Sequence, residues 1–167
     1  MIKYKKNYTK STKSLRSTQN YYNETKSLTA IDIKEFSFLY ILLKKPQLIK
    51  ENFNLIENVK LFSSENKLLL EEIVNQTNNF ENTDIENLKI DQGLIDRVFK
   101  YASIKHILVK SLNDDQKVLE ILSELIRDLK NYELELRIID LESRFSKDLS
   151  EETFNELKEL KKLQKIN

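Results

Sequence analysis

Apolar residues crowd into Ile33–Leu43, where Phe36, Phe38, Leu39, Ile41, Leu42 and Leu43 leave almost no polar face. That distribution predicts a central helix packed on several sides. Lys44-Lys45 suit the negative end of its dipole, and Pro46 closes it while opening a short second helix over Gln47–Asn54. Leu55–Phe62 reads as a further turn and an extended piece. Ser63-Ser64 offers an N-cap before Glu65–Gln76, with Leu68, Leu69, Ile73 and Val74 as its buried face. Residues 77–90, rich in Asn, Asp and Thr, read as a loop with one turn near Ile85–Leu88. Asp91–Ala102 predicts a helix with Leu94, Ile95, Val98 and Phe99 inward, in which Gly93 costs about 1 kcal/mol relative to Ala. Ile104–Ser111 predicts another short helix.

The periodic signal is strongest in the last third. From a cap at Asn113 or Asp114 a helix runs to about Lys147 without Gly or Pro, on the order of 34 residues and roughly 50 Å. Val118, Leu122, Leu125, Leu129, Tyr132, Leu136 and Ile139 recur at steps of three and four, a seam for other helices. From Leu134 a second row follows: Leu134, Ile138, Leu141, Phe145. Positions 132 and 134 lie about 200° apart around a helix, so the second half carries two apolar faces. Asp148-Leu149-Ser150 interrupts it, and Ser150 followed by Glu151 and Glu152 starts a final helix bearing Phe154, Leu157, Leu160 and Leu163. So short a connection makes the last two helices antiparallel neighbours.

One Gly and one Pro in 167 residues leave too few turn residues for a β-rich fold. The expected class is therefore all-α: a multi-helix bundle, a long helix and a C-terminal antiparallel helical hairpin. Residues 1–29 read as a basic arm or linker, 30–131 as the bundle and 132–167 as the hairpin. The longest apolar run, Phe38–Leu43, is far short of the roughly 20 residues of a membrane span, so a cytoplasmic protein is expected. Cys is absent and His occurs once, which removes disulfides, thiolate metal sites and cysteine nucleophiles. No catalytic residue, metal site or cofactor is expected, and the chain alone does not read as an enzyme. Paired acids Asp114-Asp115 and Glu151-Glu152 sit at helix starts, where capping accounts for them. His106, among Ile104, Ile107 and Leu108, reads as a partly buried structural histidine. Glu133 and Arg137, like Asp140 and Arg144, are spaced for i,i+4 ion pairs that support an exposed helix or steer docking.

Charge is unevenly spread. Residues 1–30 hold seven basic side chains against Glu24, a net of +6 in a chain whose total is +1, so the rest carries −5. This stretch has few aliphatics to offset its ordering entropy. It lacks the apolar stretch of a secretory peptide, and though its acid-poor, Ser/Thr-rich composition loosely fits a transit peptide, one Arg and few aliphatics do not make the amphipathic helix such a peptide needs. Tyr4, Tyr8, Tyr21 and Tyr22 interleave with Lys3, Lys5, Lys6, Lys10, Lys13 and Arg16, a weak candidate for non-specific contact with nucleic acid; a solvated linker is the plainer reading.

Three stretches resemble the C-terminal, helicase-binding domain of bacterial DNA primases of the DnaG type. Glu35–Pro46 is similar to that family's opening helix, which ends in an aliphatic run, a polar pair and Pro. Val59–Glu65 with Leu68-Leu69-Leu70 resembles its entry into the third helix. Leu136–Glu142, Leu149–Glu152 and Leu157–Leu160 match the terminal hairpin in sequence type and position. The resemblance covers about residues 30–167 and rests on aliphatic patterns. It implies a domain that docks on the N-terminal domains of a hexameric replicative helicase and recruits primase to the replication fork, supporting RNA primer synthesis. It also implies a parent polypeptide with upstream zinc-binding and polymerase domains, either continuous with this chain or separate from a free-standing relative.

On that reading the partner-binding residues lie in the hairpin: Leu134, Arg137, Ile138, Leu141, Arg144, Phe145, Leu149, Phe154 and Leu157. Most of the aliphatic ones hold the two helices together; Phe145, Phe154 and Leu149 near the turn are the expected anchors. Two alternatives stand beside it. One is an accessory protein that binds nucleic acid through the basic arm; the other is the related helical N-terminal collar of the helicase itself.

Overall fold

The computed structural model describes residues 25–79, 91–111 and 113–166. Among them the chain forms eight helices and no strand. They are α1 (Ala30–Lys44), α2 (Gln47–Glu51), α3 (Phe53–Glu57), α4 (Ser64–Asn79), α5 (Gln92–Tyr101), α6 (Lys105–Ser111), α7 (Asp115–Phe145) and α8 (Glu151–Ile166). Most of the expected basic arm, and the turn expected near Ile85–Leu88, lie outside the described residues. No described helix is long and apolar enough to cross a membrane.

α1 is the axis of the bundle. Thr29 and Asp32 cap it reciprocally: the Asp32 amide donates to Thr29 Oγ1 at 3.3 Å and the Thr29 amide to Asp32 Oδ2 at 2.7 Å. Every residue from Glu35 to Leu43 is buried, including two polar ones. Both polar side chains tie other segments to the axis. Ser37 and Ser103 hydroxyls meet at 3.2 Å, and the Ser103 amide donates to Ser37 Oγ at 3.1 Å, which pins the α5–α6 turn. Glu35 accepts the Phe62 amide, the Ser63 amide at 3.4 Å and Asn66 Nδ2 at 2.6 Å. A carboxylate from α1 thus satisfies donors around the start of α4 that α4 cannot satisfy itself.

That anchor sets the rotation of α4. With Asn66 drawn inward, the buried positions are Asn66, Leu69, Leu70, Ile73 and Thr77, and Leu68 falls on the outer side at 63% exposure. The expectation that Leu68 faces the core is therefore corrected, with Leu70 in its place. The single helix expected over Gln47–Asn54 is two, because Asn52 leaves the helical region (φ −124°, ψ 29°) and its Nδ2 donates to the Leu48 carbonyl at 3.1 Å. α5 packs on α1 through Leu94, Ile95 and Val98. Phe99, half-buried, meets Tyr40 edge to face with ring centroids 5.3 Å apart.

α7 is the longest element at 31 residues, roughly 46 Å at 1.5 Å per residue. Asp114 Oδ1 accepts the Lys117 amide at 3.2 Å and starts it. Its first half, Val118 to Leu129, belongs to the bundle core. Its second half carries a separate cluster formed with α8, so the front and back of one rod serve two cores in succession.

Candidate functional site: the α7–α8 hairpin

α8 exists where it does because of its cap. Ser150 Oγ accepts the Thr153 amide at 3.2 Å, and Glu151 and Glu152 occupy the positive first turn. Ser146 Oγ donates to the Ser143 carbonyl at 2.8 Å as α7 ends, and the chain reverses between them. α8 then runs back along α7.

The interface between the two helices is small. Ile138, Leu141 and Leu157 are buried, with Leu134 and Leu160 partly buried against them. Ion pairs flank this strip: Arg137–Glu156 at 2.5 Å and Lys161–Glu142 at 2.6 Å bridge the helices, and Arg144–Asp140 at 2.5 Å runs along α7. Glu133, expected opposite Arg137, instead meets Lys60 of the bundle at 3.0 Å. Exposed pairs of this kind contribute little singly but fix register. On α8 the Glu159 carboxyl is held below the usual carboxylate range, chiefly by its hydrogen bond from Lys162.

At the tip, Phe145 and Phe154 lie with ring centroids 5.7 Å apart, tilted by 38°. Phe154 remains 49% exposed and Leu149 78%. The candidate site residues therefore divide by place. Leu134, Ile138, Leu141 and Leu157 face each other between the helices. Phe145, Leu149 and Phe154 form the knob, and Arg137 and Arg144 lie on the outside as exposed ion-pair partners. Reasoning from sequence missed two more apolar residues in solvent, Leu136 and Ile139 at 40% and 60% exposure. They continue the front seam of α7 past Tyr132, the last seam residue to meet a described ring of the bundle. The available signal was length: the seam carries seven members, more than the short helices opposite could cover.

The candidate nucleic-acid contacts Lys3, Lys5, Lys6, Lys10, Lys13 and Arg16 lie outside the described residues. His106 is exposed rather than partly buried, because α6 turns Leu108 inward and His106 lies about 160° away around the helix. Among the described residues no three His, Cys, Asp or Glu side chains group as a metal site. A groove of about 500 Å³ opens between the α3–α4 connection and α4, floored by Ile56, Val59, Leu61, Leu70 and Val74. A second hollow, near 450 Å³, lies where Thr29 and Lys34 of the α1 start meet Asp128, Tyr132 and Glu135 of α7. No family model, curated protein or solved structure matches this chain.

Proposed function

We propose that the chain is a protein-docking module in which the α7–α8 hairpin is the gripping element. One observation carries this. Of the eight large hydrophobic side chains exposed to solvent among the described residues, five (Leu136, Ile139, Leu149, Phe154 and Leu163) belong to this last fifth of the chain. Leaving that much apolar surface wet beside a three-residue buried core disfavours an isolated molecule, and a partner that covers it removes the penalty.

The identity proposed for the partner comes from the resemblance of residues 30–167 to the helicase-binding domain of DnaG-type primases. On this reading the hairpin recruits DNA primase to the N-terminal domains of the hexameric replicative helicase in the primosome, and the bundle positions it. The chain itself contributes binding and no chemistry.

The test is the full chain carrying Leu149→Ser and Phe154→Ser, titrated against the replicative helicase of the same cell by biolayer interferometry. Interface anchors are worth about 2 kcal/mol or more each, so each substitution weakens binding by at least about thirty-fold. Undiminished affinity in the double variant removes the hairpin from the interface. Absence of binding by the unaltered chain removes the helicase.

A further inference from the structure

The two flanks of α8 carry opposite charge. Measured from Leu157, which is buried against α7, Lys161, Phe154, Lys165 and Lys158 fall about 40° to 100° to one side. Glu152, Glu156, Glu159 and Leu163 fall about 100° to 160° to the other side. Each set recurs at steps of four, three and four, so each forms one stripe along the helix.

Two ion pairs across the hairpin fix which side of α7 each stripe borders. Lys161 meets Glu142 at 2.6 Å, and Glu156 meets Arg137 at 2.5 Å. On α7, Ile139 lies about 60° beyond Glu142, on the lysine side, and about 160° from Arg137. Phe154 is level with Phe145 of α7, its ring 5.7 Å away. Ile139 lies six residues before Phe145, roughly 9 Å back along the rod. The lysine flank thus presents Ile139 and Phe154, both exposed, beside Lys158, Lys161 and Lys165.

The helix dipole accounts for Lys165 in the last turn. It does not account for the row, in which Lys158, Lys161 and Lys165 are like-charge neighbours at i,i+3 and i,i+4 and oppose the helix. No acid of α8 lies three or four residues from any of the three, and Glu142 offsets Lys161 alone. The other flank is met from within the hairpin: Glu156 by Arg137 and Glu159 by Lys162.

We propose that the lysine flank of the hairpin, with Ile139 and Phe154 as its apolar contacts, takes an amphipathic helix whose apolar stripe is bordered by acids. Contacts roughly 9 Å apart suit side chains six or seven residues apart on such a helix. Its carboxylates would meet Lys158 and Lys165 and remove the repulsion along the row. An anionic lipid surface fits less well, because Asp148, Glu151 and Glu152 adjoin Leu149 at the tip. The proposal rests on the hairpin as the gripping element and adds which flank grips and what chemistry it takes.

The test titrates the full chain into a fluorescein-labelled synthetic helix of about 18 residues, five turns, followed by anisotropy. The peptide has Leu at alternating third and fourth positions, Glu beside the leucines and Gln elsewhere; a second peptide has Lys in place of Glu. The Glu peptide is expected to bind at least about ten-fold more tightly than the Lys peptide. Lys158→Gln with Lys165→Gln, and separately Ile139→Ser, should each weaken it at least about five-fold. Leu163→Ser on the other flank, and Lys3→Gln with Lys5→Gln in the basic segment, should stay within about two-fold. Circular dichroism checks that every variant remains helical. The proposal is overturned if the Glu peptide does not bind, if the basic-segment or Leu163 variant loses as much as the flank variants, or if phosphatidylserine vesicles displace it through the same lysines. Failure of the peptide while helicase binding still needs Leu149 and Phe154 removes this flank and leaves the docking role. Peptide binding as expected without helicase binding keeps the flank and removes the helicase.

Discussion

The ring of Phe62 stands almost at right angles to that of Tyr132, 88° between planes and 4.8 Å between centroids. Phe62 lies in the α3–α4 connection, two residues before α4 begins, and Tyr132 lies midway along α7, so this edge-to-face contact is a joint between bundle and rod. Lys60 to Glu133 at 3.0 Å lies beside it. Beyond that point Leu136 and Ile139 continue the same face into solvent. The joint thus sets where α7 stops serving the bundle.

Loss of that ring should loosen the joint without unfolding the chain. An aromatic pair contributes about 0.5–1.5 kcal/mol beyond area burial, and Tyr132 is only partly buried. Tyr132→Ala is expected to cost about 2 kcal/mol in urea denaturation and Tyr132→Phe under about 0.5 kcal/mol, since the ring and not the hydroxyl meets Phe62. Equal stability of Tyr132→Ala and the unaltered chain would show that the contact carries no load.

Glu35 invites a sharper comparison. It is fully buried, and three donors converge on it while Asn66 Oδ1 is buried without a partner. Glu35→Ala strands those donors, each at about 1–3 kcal/mol when unsatisfied, so a loss of roughly 3 kcal/mol or more is expected. Glu35→Gln keeps an acceptor for Phe62 and brings a new donor toward Asn66. Turning the Asn66 amide over then lets its orphan oxygen accept that donor. The Gln variant should therefore fall within about 1 kcal/mol of the unaltered chain. Thermal melts of the two variants decide it, and equal losses would contradict the assignment of donors.

The helical class was legible because apolar residues recur at three and four over long stretches and because breakers are almost absent. The caps were legible too: Ser63, Asp114 and Ser150 each accept a backbone amide three residues on. The break at Asn52 was not, since it depends on one side chain turning back to the Leu48 carbonyl. Nor was the rotation of α4. Leu68, Leu69 and Leu70 are chemically alike, and only the tertiary bond from Asn66 to Glu35 decides which of them faces out. Within the candidate site, the row Leu134, Ile138, Leu141 and Phe145 could be placed on one side of the rod from spacing alone. The exposure of Leu136 and Ile139 could not, because spacing records which residues share a face and not how far the opposing surface extends. Long-range ion pairs such as Lys60–Glu133 are equally silent in sequence.

Asp114 makes the start of α7 dependent on pH. Its carboxyl is held below its ordinary value of 3.8, first by the side-chain hydrogen bond with Lys117 and then by the Lys117 amide. Nζ of Lys117 lies 3.1 Å from Oδ2. A carboxyl whose folded pKa is depressed releases its proton more readily in the folded state, so the ionised form favours folding. That contribution is fully present above pH 3.8 and is lost as pH falls through the lower folded value. The group is exposed, so the effect is small and salt-screened. Asparagine caps a helix as well as aspartate but does not titrate. The difference in melting temperature between the unaltered chain and Asp114→Asn should therefore be constant from pH 7 to about pH 5, then shift in favour of Asn as the pH drops below 4. High salt should shrink the shift by screening Lys117. Parallel melting curves for the two proteins down to pH 2.5 would mean that ionised Asp114 does not hold the start of the rod.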